Sequence, residues 1–532
     1  MFARDDNSYC RSGLTQMSAI AAAAPSSRSE PTGPLLVAII VVLAMANFLA
    51  ILDLTIANVL VPHISGSLAV APSDGTWVIT SYAVAEAIMV PLTGWLAERF
   101  GPVRVFVSGI AGFGIVSILC GLATSLPMLI VFRILLGICG GPLIPLSQTL
   151  LLQIVPPRHE IKALAAWGMT TILAPAIGPT LGGYIGDEWT WPWAFYIKVP
   201  FALALGIVAW RLLTPYEKPT VKARIDFVGL ALLVLWVGAL QVMLGNGQNL
   251  DWFSSPVIVE LLVVAVIGFV AFVIWELTDR APIVDLRIFR DRSFSVSMVV
   301  IALSMGSLFG SLVLVPLWLQ TSMGYTAIWA GYNTAMLGVF SVIATPITAG
   351  LMTRLDHRLL VTAGLLIAAA ATLVRLFFNQ DMTFLQLLYP QMAMGFAFPL
   401  IMVPLMDMSV SSLPPRDTAA GAGQFNFIRT LASAISTAVV IAVWIDAISA
   451  GKATLAGELH DPQSVLALLQ AGGFSADQAR SLLDLAVQGQ SVMLGTNQTF
   501  LSVGIVLLFS AGAVWLAPKP PRHANGNKPV AH

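Results

Sequence analysis

Runs of about 20 mostly apolar residues, the length a helix needs to cross the hydrocarbon core of a bilayer, recur along nearly the whole chain between short polar turns. This pattern predicts spans near residues 35–58, 77–96, 103–123, 127–150, 161–186, 193–213, 226–244, 256–276, 295–319, 328–350, 359–378, 385–411, 420–446 and 499–517. Fourteen such runs predict an all-α polytopic membrane protein. The connection 447–498 is longer than the rest and holds two apolar groups, Val465, Leu466, Leu468 and Leu469, then Leu482, Leu483, Leu485, Ala486 and Val487. Neither group is long enough to span. Both are expected to be amphipathic helices on the outer surface or against a partner, with Ser475 and Gln478 forming a capping box ahead of the second.

Composition narrows the class. Hydrophobic residues make up 57% of the chain and charged residues only 10%, against about a quarter charged in soluble domains. A net charge of zero argues against a nucleic-acid partner, because phosphate binding needs a basic surface. Cys10, Cys120 and Cys139 are scattered, so neither a disulfide framework nor a metal site is indicated. The distribution of basic residues says more. Of 27 Lys and Arg, 21 lie in the tails or on alternate connections, for example Arg99 and Arg104, Arg158 and Lys162, Lys218, Lys222 and Arg224, Arg280, Arg354, and Arg416. The opposite connections hold only Lys452 and Arg480. The positive-inside rule then places both termini in the cytoplasm. Residues 1–33 and 518–532 are expected to be disordered tails, with no signal peptide at the start.

Three stretches carry candidate chemistry. The first is Ala174–Gly186, where Ala174, Gly178, Gly182 and Gly186 share one helical stripe and Pro175 and Pro179 each remove a backbone donor. Small residues at this spacing let two membrane helices approach closely, so mere packing and a working seam both remain open. The second is the set of charges inside spans, each costing roughly 2.5 to 3.5 kcal/mol at mid-helix on insertion scales. Asp53 and Glu86 each lie nine residues, about 14 Å, from the outer ends of adjacent spans, a geometry in which they can perturb each other as a proton site does. Arg133 lies at similar depth. Asp407 and Arg429 fall in the inner halves of consecutive spans and are expected to form a buried pair. Arg375 and Glu276 are expected to snorkel from span ends, and Lys198, behind Trp189, Trp191, Trp193 and Tyr196, to reach the headgroups.

The third is a repeat. Gly94-Trp-Leu-Ala-Glu98-Arg99-Phe-Gly101-Pro-Val-Arg104 closes the second span, and Gly350 to Arg358 closes the tenth with a similar small residue, acid and two arginines. Repeated halves are a transporter trait, although short cytoplasmic turns are basic in any case. No nucleophile elbow, zinc-protease helix or nucleotide-binding loop is found.

These motifs resemble the fourteen-span drug:proton antiporters of the major facilitator superfamily. The resemblance rests on Leu52-Asp-Leu-Thr-Ile-Ala-Asn-Val-Leu-Val-Pro62, on the Gly94–Arg104 turn with Glu98 in place of Asp, on Arg133-Ile-Leu-Leu-Gly137, and on Gly178-Pro179-Thr-Leu-Gly182-Gly183. Gly141–Gln148, Leu250–Ser255 and Trp275–Asp279 are similar more narrowly to EmrB-type multidrug exporters. The resemblance implies a major facilitator fold, with six-helix bundles over 34–213 and 294–517 and two extra helices within 214–293. It implies export of hydrophobic or amphipathic compounds across a bacterial inner membrane, driven by protons and without another cofactor. A periplasmic adaptor and an outer-membrane channel are the implied partners. Asp53 would be the coupling acid, Arg133 its regulator, and Gly178, Pro179, Gly182 and Gly183 the gating interface. Glu86 departs from the family pattern and leaves two readings, a second proton site or a preference for cationic substrates. Lys198 replaces a frequent asparagine. A nutrient symporter and a non-transporting scaffold or receptor are the alternatives.

Overall fold

A computed structural model describes residues 31, 33–217, 220, 226–279, 282–379, 382–414, 418–458 and 462–518. Most of both tails, together with Lys218, Lys222, Arg224, Arg280 and Arg416, falls outside the described residues. Among the described residues fourteen helices, span 6 taken as Trp193–Tyr216, are long and apolar enough to cross a membrane, and each overlaps a predicted span. In order, spans 1 to 7 are Pro34–Ser67, Trp77–Phe100, Pro102–Gly121, Leu126–Gly140 with its continuation Leu143–Ile154, Pro157–Glu188, Val199–Leu213 and Phe227–Asn246. Spans 8 to 14 are Pro256–Thr278, Arg292–Thr321, Ala327–Met352, His357–Val374, Phe384–Ser411, Thr418–Glu458 and Ala476–Ala513. Span 4 is interrupted at Gly141 and Pro142, where proline supplies no N–H to the preceding turn.

The packing is internally repeated. Span 1 packs on span 5, 2 on 4 and 3 on 6; span 9 packs on 13, 10 on 12 and 11 on 14. An offset of eight spans turns the first set into the second, so the turns closing spans 2 and 10 occupy equivalent places. Spans 7 and 8 form a hairpin against span 2, and Trp236 of span 7 meets Phe269 and Phe272 of span 8 and Phe427 of span 13 edge-on or tilted.

The halves touch near both ends of the bundle. Toward the arginine-rich end, the Asn426 side-chain amide of span 13 donates to Gln148 Oε1 of span 4. Toward the opposite end, Gly331 of span 10 sits so close to Thr180 of span 5 that any side chain at 331 would strike the threonine hydroxyl. Between these contacts lies an apolar void of only about 20 Å³, lined by residues such as Pro175, Phe309, Leu337 and Phe398. The halves thus touch near each end in this form, and at this void a drug-sized molecule fits only if they separate.

The connection 447–498 differs from expectation. Span 13 runs on to Glu458 and span 14 begins at Ala476, so the second apolar group extends a membrane helix instead of forming a separate surface helix. A helix of 41 residues is about 60 Å long and the hydrocarbon core about 30 Å, so roughly half of span 13 can project beyond it. Lys452 Nζ pairs with Asp484 Oδ1 at 3.2 Å across the two extensions, and Gly451 packs on the Ser491 backbone. The Ser475–Gln478 capping box is present, and the helix Pro462–Ala471 packs on span 14.

Candidate functional site

Asp53 lies on span 1 with 1% of its surface exposed. Arg133, fully buried on span 4, donates from Nη1 to Asp53 Oδ2 at 2.6 Å and from Nε to the Val78 carbonyl at 2.8 Å. The sequence makes this approach possible. Gly137, one turn beyond Arg133, lies against span 2 where an added Cβ would sit 2.7 Å from the Tyr82 carbonyl and 2.8 Å from Ala85 Cβ. The Tyr82 ring then lies 4.5 Å from the guanidinium carbon.

A second cation completes the cluster. Lys198 Nζ donates to Asp53 Oδ1, and the lysine is 2% exposed. Its ammonium stands 4.9 Å from the Phe195 ring centroid and 5.7 Å from that of Phe113, within cation–π range. The headgroup position expected for Lys198 is therefore wrong. Span 6 crosses as Trp193–Tyr216, but its helix is broken: the short turn Trp193–Tyr196 precedes the main helix, which starts only at Val199 and runs 15 residues, about 22 Å. The preceding segment folds inward. Trp191 donates from Nε1 to Ser67 Oγ at 2.8 Å, Phe195 is buried, and Lys198 is carried down to the acid. The clue lay in the short apolar run between Lys198 and Arg211, which leaves the lysine well inside the span unless its side chain snorkels outward.

The other expected charges are redistributed. Glu86 is buried, but the charges acting on it are Arg429 of span 13 and Arg133, not Asp53. Asp407 instead pairs with His357 Nδ1 at 3.6 Å, while Arg429 has its charge interaction with Glu86. No Asp407–Arg429 bridge is found among the described residues; Asp407 faces His357, and Arg429 lies within electrostatic range of Glu86 across the halves. Arg375 does not snorkel: it is 2% exposed, donates from Nη2 to Gln391 Oε1 at 3.1 Å and lies over the Phe500 ring. Glu276 is fully buried as well, and its Oε2 accepts from the Val284 N–H at 3.2 Å, tying the next connection to the end of span 8.

The stripe at Ala174–Gly186 packs on span 1, the helix that carries Asp53. A Cβ at Gly178 would fall on the Thr55 hydroxyl, one at Gly182 would lie 3.1 Å from the Ile56 carbonyl, and one at Gly186 would meet His63 and Leu60. Thr55 Oγ1 donates to the Ala174 carbonyl at 3.4 Å, and Asn47 Nδ2 bridges Thr170 and Thr171 at 2.8 and 3.0 Å. Gly183 is buried and Pro179 half-buried. The glycine stripe is therefore a seam inside the first half. The face of span 5 that meets the second half is a different one, carrying Thr180.

In the turn closing span 2, Gly101 has φ +96°, a conformation that favours glycine. A Cβ there would also lie 2.5 Å from Glu217 Oε1. That carboxylate, unforeseen from sequence, accepts from the N–H groups of Val103 and Arg104 at 3.3 and 3.0 Å and lies 3.9 Å from Arg104 Nε. It caps the start of span 3, where free N–H groups and the helix dipole favour an anion. Glu98 and Arg99 are exposed, and Gly94 has open space around it. Arg99 and Arg104 rim a groove of about 540 Å³ between spans 2, 3 and 4.

Paired helical halves with a buried acid-and-cation cluster define a membrane transporter, and residues 43–437 match the Major Facilitator Superfamily, to which the chain belongs. Within it the chain is of the EmrB multidrug efflux type. It is 43% identical over 506 residues to the multidrug export protein EmrB of Escherichia coli K12, covering 94% of this chain and 98% of that one. It is 40% identical over 488 residues to the fatty acid resistance protein FarB of Neisseria gonorrhoeae, covering 91% and 96%. Among solved structures, a bacterial homologue of the lysosomal transporter Spinster superposes with a TM-score of 0.54 at 15% identity, covering 92% of this chain and 98% of that one. The human organic anion transporter MFSD10 gives 0.55 at 15%, covering 90% and 100%. At such identity these two show the fold alone.

Proposed function

We propose that this multidrug efflux transporter is an antiporter, exporting hydrophobic or amphipathic compounds across the bacterial inner membrane in exchange for protons taken up at Asp53. The observation that carries the reading is the Asp53 cluster. A carboxylate held in dry protein by two cations costs a great deal to leave unpaired, so adding or removing one proton changes which packing is stable. This form, with halves touching near both ends, fits a cycle in which each side opens in turn. Arg133 holds the acid in place, and the glycine seam at Gly178, Pro179, Gly182 and Gly183 transmits a shift of span 1 to span 5. Purified protein in liposomes decides the direction: an imposed proton gradient is expected to drive ethidium or laurate opposite to proton flow, and co-directional movement would overturn antiport.

The reading extends to a periplasmic adaptor and, through it, an outer-membrane channel, with docking on the projecting helices. Leu468, Leu482 and Leu485 are the exposed leucines there, at 73%, 42% and 68%, whereas Leu466 and Leu483 are half-buried. Replacing Leu468 and Leu485 together by serine is expected to abolish adaptor co-purification and leave transport in liposomes unchanged. Retained adaptor would remove this surface from the proposal.

A further inference from the structure

The geometry points to Lys198 as the group that delivers the coupling proton to Asp53. This inference rests on the proton-coupling reading of Asp53 above and adds a second proton-carrying residue to it. Two cations contact the acid, and they differ in chemistry. Arg133 keeps its proton under all conditions proteins meet, whereas a lysine ammonium can give one up when it is desolvated. Of the groups bonded to Asp53, Lys198 alone can release a proton.

The surroundings support transfer inside this pair. The titratable and charged side chains nearby are Arg133 and Cys139 of span 4, Tyr82 and Glu86 of span 2, Cys120 of span 3 and, through Glu86, Arg429 of span 13, with Arg133 acting on Tyr82, Glu86 and Cys120. Span 5 contributes Tyr184, which is exposed, and Asp187, which pairs with His63 of span 1 at 3.6 Å. Tyr196 lies on the same inward-folded segment as Lys198 and is half-buried. No bond of Asp53 other than those to Arg133 and Lys198 is found among the described residues.

In the step itself an Nζ–H bond of Lys198 breaks and an O–H bond forms on Asp53. The ammonium becomes an amine, the carboxylate becomes a carboxylic acid, and the cluster keeps its single positive charge on Arg133. Turning an ion pair into two neutral groups is favoured by low dielectric, since neither then needs solvating as an ion. A hydronium ion from the expected periplasmic side then restores the ammonium. Lys198 is placed for this second step because it directly follows the inward-folded segment Trp189–Tyr196 at that end of span 6, whereas Arg133 reaches Asp53 from span 4. The reloaded cluster holds two cations with no anion between them, and their repulsion favours a rearrangement that exposes Asp53 to the other side.

The test compares proton-driven uptake into inside-out vesicles with counterflow, in which labelled probe exchanges for unlabelled without net proton movement. The probe is ethidium or laurate, whichever the wild-type chain carries. Lys198→Arg keeps the charge and the contact but cannot give up a proton. It is expected to retain counterflow within about twofold and to lose proton-driven uptake by about a hundredfold, the low end of what a positioned proton donor supplies. Lys198→His keeps a releasable proton on a weaker base. It is expected to retain uptake with the pH profile displaced toward acid by about one unit or more. An arginine variant driven at the wild-type rate would overturn the inference, as would a histidine variant whose profile superimposes on wild type. If the arginine variant also loses counterflow, the histidine profile decides alone. Asp53→Asn in the same assay separates the two layers: surviving proton-driven uptake there removes the coupling reading itself, whereas a dead Asp53→Asn beside an active Lys198→Arg removes only the relay.

Discussion

Replacing Asp53 by asparagine is expected to abolish drug export while the protein still inserts into the membrane. Asparagine matches aspartate in shape, so packing around the site is conserved, but it binds no exchangeable proton. It also leaves Arg133 and Lys198 facing one another in dry protein with no anion between them. Removing one partner of a buried pair typically costs about 3 to 5 kcal/mol, because the remaining charge is stranded. The purified variant should therefore melt several degrees lower, as well as being inactive. A second substitution separates the two effects: adding Lys198→Asn to Asp53→Asn removes one stranded cation and should recover much of the lost Tm without recovering export. Susceptibility of cells to a panel of lipophilic compounds, with membrane levels checked by immunoblot, measures the first effect, and thermal unfolding in detergent the second. Unchanged resistance in cells carrying Asp53→Asn would remove Asp53 from coupling.

Gly178→Val is expected to be as damaging for a mechanical reason. The first atom of any side chain there would lie on the hydroxyl of Thr55 and 2.6 Å from its Cβ, two residues along from Asp53. Spans 1 and 5 must then move apart, and overfilling a packed interior costs typically about 1 to 3 kcal/mol. The same displacement shifts the acid relative to Arg133 and Lys198, so export should fall below detection even where protein survives. Gly94→Ala and Gly350→Ala, at positions with open space around them, are the matched controls and should behave as wild type. Milder replacement by alanine with Thr55→Gly removes both obstructing atoms and should restore part of the activity. If valine at 178 is tolerated, the seam is not tight in the working protein.

Much of this arrangement could be read from the chain. Fourteen spans are legible because lipid demands about 20 apolar residues per crossing, and little else in a protein produces that pattern. Asp53 and Arg133 are legible because charges inside spans are few. What spacing does not encode is azimuth and the depth at which a helix ends. Asp407 and Arg429 lie on neighbouring spans, but facing depends on rotation about each helix axis, and in the structure Asp407 faces His357 while Arg429 turns toward the charge of Glu86. The depth of Lys198 is not encoded, because a cluster of aromatic residues beside a lysine describes an interface equally well whether it lies at the surface or folds into the bundle. The role of Glu217 leaves no trace in the side-chain pattern, because its partners are backbone N–H groups more than 100 residues away.

The projecting parts of spans 13 and 14 are continuous with membrane helices, and both belong to the second half. They make a rigid arm fixed to one half alone. If that half rotates by on the order of 15°, as packed subunits do in other switching proteins, an arm extending about 30 Å sweeps its tip through roughly 8 Å. Anything gripping the tip would be pulled through that arc on every turnover, so the arm converts a small internal tilt into a stroke outside the membrane. A bound neighbour could also hold the arm still and so stall the cycle from outside.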